Sequence, residues 1–111
     1  MMGSVIGSNP KVSIYSNVET PPVALDNTGT PSVLGGNNFL TGGTATITDF
    51  DNGVEGQEIT IIAEHSIKIT DGTNIFLNGS ADFDMTATDT LTLICKADNK
   101  WYEVSRGDNG A

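Results

Sequence analysis

The sequence predicts an all-β fold, and three observations carry the prediction. Short runs rich in β-branched residues recur: Thr46-Ile47-Thr48, Glu58-Ile59-Thr60-Ile61-Ile62, Ser66-Ile67-Lys68-Ile69-Thr70, Asn74-Ile75-Phe76-Leu77 and Thr90-Leu91-Thr92-Leu93-Ile94-Cys95. Such residues suit a pleated, half-buried surface. Gly, Asn and Asp clusters punctuate the runs at a spacing of about ten residues, as in a meander or stacked coils. No window carries the apolar spacing of an amphipathic helix.

The elements follow in chain order. Residues 1–37 hold all 4 prolines, Pro10, Pro21, Pro22 and Pro31, among many Ser, Asn, Thr and Gly residues. This composition predicts an extended connector or shaft segment, with two short edge strands at Lys11-Val12-Ser13-Ile14-Tyr15 and Pro22-Val23-Ala24-Leu25. The opening Met1-Met2-Gly3-Ser4 lacks the charged start and apolar stretch of a secretory signal and reads as an expression-derived start, so the chain is expected to be a fragment of a longer protein. Residues 38–106 form the expected β domain, and 107–111 are expected to be a flexible tail. Within the domain Asp51-Asn52-Gly53, Gly56-Gln57, Asp71-Gly72 and Asn78-Gly79-Ser80 mark turns, because Asn and Gly tolerate positive φ.

Parity divides the strands into two faces. Ile59, Ile61, Ile67, Ile69, Ile75 and Leu77 share one face, while Thr60, Lys68 and Thr70 take the other. Ile62, Phe76 and Ile94 place apolar bulk on that second face. The pattern fits one face in the protomer core and part of the other against a neighbouring chain. Gln57, Thr60, Ile62, Phe76, Ile94 and Trp101 are therefore the interface or core candidates.

Composition excludes several classes. There are 14 acidic and 5 basic residues, a formal charge of −9, which repels phosphate backbones and anionic lipid surfaces. No apolar run approaches the roughly 20 residues of a membrane-spanning helix. Neither nucleic acid nor membrane insertion is expected. Cys95 is the sole cysteine, so no intrachain disulfide forms and a buried thiol is expected.

No catalytic or metal motif stands out. Asp49, Asp51, Glu55 and Glu58 lie close in sequence, but no second hydrolase signature accompanies them. Asp49-x-Asp51-x-Gly53 lacks the Glu that an EF-hand places twelfth, Thr60 standing there. Asp82 and Asp84 alternate with Phe83 and Met85, as on a solvated edge strand, with Asp89 expected beside them. His65 reads as a turn or surface residue, and Arg106-Gly107-Asp108 as part of the tail. Trp101 and Tyr102 are the candidates for contact with a sugar ring. No cofactor and no enzymatic activity are expected.

The ordered series Ile47-Thr48-Asp49-Phe50, Gly53, Glu55-Gly56-Gln57-Glu58-Ile59-Thr60-Ile61-Ile62, Ile67, Asp71-Gly72, Asn74-Ile75-Phe76-Leu77, Gly79, Asp89-Thr90-Leu91-Thr92-Leu93-Ile94 and Trp101-Tyr102-Glu103-Val104-Ser105-Arg106 resembles a C-terminal module of bacteriophage tail-spike and appendage proteins. In that family the module follows a right-handed parallel β-helix of the pectate-lyase type. The resemblance spans about residues 44–106. It implies a homotrimeric all-β element, an intertwined β-helix, β-prism or set of small sandwich-like protomers, that registers and caps three chains near the receptor-facing end of a tail spike or fibre in the virion. The partners it implies are the rest of the tail-spike chain and a host cell-surface glycan.

Overall fold

The computed structural model describes residues 21–97 and 99–110. The expected strand at Lys11–Tyr15 lies outside them. The described residues form β1 (Val23–Ala24), β2 (Asn38–Leu40), β3 (Glu58–Ile62), β4 (Ile67–Ile69), β5 (Ile75–Phe76), β6 (Phe83–Met85), β7 (Thr90–Ala97) and β8 (Lys100–Gly107), with a 3₁₀ turn at Asn78–Ser80 and no α-helix. The all-β class is as the sequence predicts.

A six-stranded sheet runs β1-β2-β3-β7-β8-β5, and a two-stranded sheet pairs β4 with β6. The first three strands of the large sheet are parallel, with Val23 beside Phe39 and Phe39 beside Ile61. A second parallel column forms from single bridges, Ser32 with Asp51 and Ile47 with Ile69. Its hydrogen bonds run Val33 N to Asp51 O at 2.9 Å and Ile47 N to Lys68 O at 2.9 Å. The chain thus winds through one column and then the other, each coil stacking on its predecessor. Both columns end in reversed strands: β7 runs antiparallel to β3, and β6 runs antiparallel to β4. A hairpin then carries β7 into β8 through Asn99, whose φ is 55°, and β5 closes the far edge parallel to β8.

Parity explains the core. Ile59, Ile61, Ile67, Ile69, Ile75 and Leu77 are all buried, together with Leu91, Leu93, Phe83 and Met85. Glycine permits two of the closest approaches: a Cβ on Gly42 would strike the Leu25 carbonyl of the coil below, and one on Gly53 would enter the Trp101 indole.

Several expectations change. Leu25 and Val33, within the segment read as connector, are buried in the same core. Phe39 lies buried on β2, which the sequence reading did not mark as a strand. Thr46–Thr48 forms one bridge at Ile47 and no strand, because Ile47 alone reaches the Ile69 register. β8 extends to Gly107, and beyond it the Gly110 N–H donates to Asp89 Oδ1 at 2.7 Å, so this end of the chain is tied to the 86–89 loop.

Candidate functional site

The outward face of the large sheet carries exposed apolar and aromatic side chains, Ile94, Tyr102 and Phe76 among them. Burial alternates along β3 and β7, turning Glu58, Thr60 and Ile62, and then Thr90, Thr92, Ile94 and Lys96, away from the core. Register places Glu58 opposite Ile94, and Ile94 opposite Tyr102. Phe76 of β5 lies beside Tyr102. A row Glu58, Ile94, Tyr102, Phe76 therefore crosses four strands. The two rings stack, their centroids 4.9 Å apart at 21°, and Lys96 Nζ sits 5.9 Å from the Tyr102 centroid. Behind this row Thr60 and Thr92 share a hydroxyl hydrogen bond of 2.9 Å.

A bulge in β8 adds to the patch. Leu93 pairs with Glu103 and Thr92 with Ser105, leaving Val104 as the extra residue. Val104 is exposed. The same bulge solves a parity problem: residues three apart in a regular strand face opposite ways, yet Glu103 and Arg106 both turn inward, opposite Leu93 and Leu91. They form a forked ion pair, Nε to Oε2 at 2.9 Å and Nη2 to Oε1 at 2.8 Å, and Arg106 Cζ stacks 3.9 Å from the Phe83 ring centroid. The Asn78 N–H also donates to Glu103 Oε1 at 2.8 Å. The guanidinium hydrogen bonds hold the Glu103 carboxyl below its ordinary range, and the carboxylate in turn raises Arg106. A groove of about 410 Å³ opens between Phe76, Asn78, Tyr102 and Val104.

The candidates divide cleanly. Thr60, Ile62, Phe76 and Ile94 share the outward face. Gln57 does not: its Nε2 donates to Val33 O at 2.9 Å and Gly36 O at 2.7 Å, and its Oε1 accepts the Val54 N–H at 3.0 Å. It stitches two stacked corners together. Trp101 is fully buried, 0 % exposed, with its ring edge-on to Phe50 at 5.8 Å and its indole N–H donating to Phe50 O at 3.2 Å. Sugar contact by Trp101 is thereby ruled out, since the inward parity opposite Cys95 encloses the whole ring. Tyr102, on the other parity, is half-exposed.

The acidic groups do not assemble. Among the described residues no three or more His, Cys, Asp or Glu side chains come together in a metal-binding geometry. Asp82 and Asp84 flank Lys68 at 4.0 and 3.9 Å on the surface. Asp89, expected beside them, is instead buried, with Oδ2 accepting the Thr86 N–H at 2.8 Å and Oδ1 accepting the Gly110 N–H. These amides hold its carboxyl below the ordinary range against the opposing effect of burial. Thr88 beside it has φ 82°, a strained value for a β-branched residue. His65 lies at a half-buried turn, its Nδ1 2.8 Å from Thr41 Oγ1, a hydroxyl that also accepts the Glu64 N–H.

Sequence reasoning missed the Glu103–Arg106 fork and the burial of Asp89. The fork depends on a bulge that no turn residue announces. Asp89 sits three residues after Thr86, the spacing at which a carboxylate reaches back to the backbone N–H of a Thr, as in a capping box. Comparison with known protein families, curated sequences and solved structures gives no match to this chain.

Proposed function

We propose that this chain is a structural module that ends a parallel β stack, registers three copies and caps them, in the manner of a C-terminal module of a phage tail spike or fibre. The observation that supports this reading is the shared reversal of strand direction: β7 on β3 and β6 on β4 stop both parallel columns. A parallel coil leaves an edge equivalent to the one it covers, so a stack is open to continuation. Antiparallel strands with a short final edge, here the two residues of β5, end it. Such a module works by packing and carries no catalytic step; its place is the virion, near the receptor-facing tip.

The test is the mass of the purified chain by light scattering after size exclusion, over a wide dilution range. Three times 11.6 kDa is expected. A monomer at every concentration overturns the trimer.

Recognition of a host glycan by the same face is the second reading, favoured by the groove beside Tyr102 and Asn78. Against it, each aromatic ring already covers one face of the other, and Lys96 lies over Tyr102. Sugars stack on open ring faces. Glycan-dependent binding lost on Tyr102→Ala, with trimer mass unchanged, would place this reading first.

A further inference from the structure

We infer that the copies meet through the outward row of β7, β8 and β5, with Ile94, Tyr102, Phe76 and the bulged Val104 covered by a second copy of this chain and Lys96 set against the partner subunit's Glu58. The inference rests on the trimer reading above and names its surface. Among the described residues three surfaces expose large apolar side chains: the β1 edge at Val23, the corner pair Leu34 and Val54, and this row. The row alone joins four such side chains across neighbouring strands. An exposed, contiguous apolar strip on a sheet is the form of an interface core.

Charge selects the occupant. The chain carries −9 overall, so two copies repel at most approaches. Three of its five basic residues, Lys96, Lys100 and Arg106, lie on the β7–β8 hairpin. Arg106 is neutralised by Glu103 within the protomer, and Lys100 Nζ is held by Thr73 O and Asn74 Oδ1. Among the described residues Lys96 meets the Tyr102 ring and makes no ion pair, and Glu58, opposite Ile94, makes none either. One acid and one base thus lie on the same face at the Ile94 end of the apolar row, Glu58 across from Ile94 on β3 and Lys96 two residues further along β7. A threefold axis beside that face sets Lys96 of one copy towards the partner subunit's Glu58, a head-to-tail contact that repeats around a closed ring.

The corner groove of about 540 Å³ between Leu34 and Val54 is a poorer site for a copy of so acidic a chain, because Glu55 borders it and the basic side chains of the hairpin do not line it.

The experiment measures mass against dilution for the wild type, Ile94→Glu, Lys96→Glu, Glu58→Lys and the double charge swap, with far-UV circular dichroism as the fold check. Ile94 points outward, so its variant leaves the core intact. Expected results are a trimer for the wild type and a folded monomer for Ile94→Glu. Each single charge reversal raises the dissociation midpoint by at least about tenfold, and the double swap recovers most of the loss. A wild-type trimer whose Ile94→Glu variant stays trimeric overturns this surface and leaves the cap reading standing. A wild type that is monomeric throughout removes the trimer itself. Single reversals without effect, or a swap without recovery, overturn the Lys96–Glu58 contact.

Discussion

The two ends of the stack are built differently. β7 and β8 run eight residues each in one antiparallel ladder, whereas β1 and β2 have two and three residues and the second column is made of single bridges. In the hairpin a short turn sets the register, and nearly every residue has a backbone partner. In the coils the backbone pairs so briefly that side chains supply the connections: Gln57 ties two corners, and Asn27 Oδ1 accepts the Ala45 N–H at 3.1 Å. The hairpin can therefore be encoded locally, while a coil owes its position to the coil beside it.

The comparison can be broken first at the point where the two regions join. Trp101 belongs to the hairpin but hydrogen-bonds to Phe50 of the coils and fills the space beside Gly53. Trp101→Ala is expected to cost about 3–5 kcal/mol, a large part of a small domain's stability, and chemical denaturation would register it. Retained stability would mean the hairpin and coils are independent.

A smaller effect is expected at the 86–89 loop that leads into β7. Asp89→Asn removes a charged acceptor from two half-buried amides, those of Thr86 and Gly110, and should cost about 1–2 kcal/mol near neutrality. Its pH behaviour is the sharper sign. Because Asp89 binds a proton less readily in the folded than in the unfolded chain, its contribution is complete above about pH 5 and declines as pH falls through and below about 4. Urea midpoints from about pH 6 to about pH 2.5 should fall steeply for the wild type and less steeply for the variant. Glu103, whose carboxyl is also held low, supplies the slope that remains.

The smallest change belongs to the coils. Gln57→Ala frees two carbonyls and one amide at a half-exposed corner, where water replaces part of what is lost, so about 1 kcal/mol is expected. Amide exchange should accelerate around Val33, Val54 and Gly56 while Leu91 and Leu93 keep their protection. Equal acceleration in the hairpin would show that the two regions open as one.

Much of this architecture was legible. β3 and β7 read directly from alternating Ile, Thr and Leu, and parity sorted Ile59, Ile61, Ile67 and Ile69 from Thr60, Ile62, Phe76 and Ile94 because a strand has a strict period of two. The coils were harder, since Val23-Ala24-Leu25, Val33-Leu34 and Phe39-Leu40 are apolar runs of only two or three residues among Pro, Gly, Asn and Ser. A strand of two or three residues gives periodicity nothing to repeat. The bulge at Val104 was also invisible: it shifts register without a Gly to mark it, so neither the inward pairing of Glu103 with Arg106 nor the outward Val104 followed from spacing.

The enclosure of Trp101 gives the molecule a built-in optical probe. It is the chain's sole tryptophan and lies across the ladder from Cys95, at the seam between hairpin and coils. Its fluorescence therefore reports a single place. A red shift on dilution, heating or acidification would time the parting of that seam, and a colour that holds while subunits separate would show that assembly and folding are distinct events.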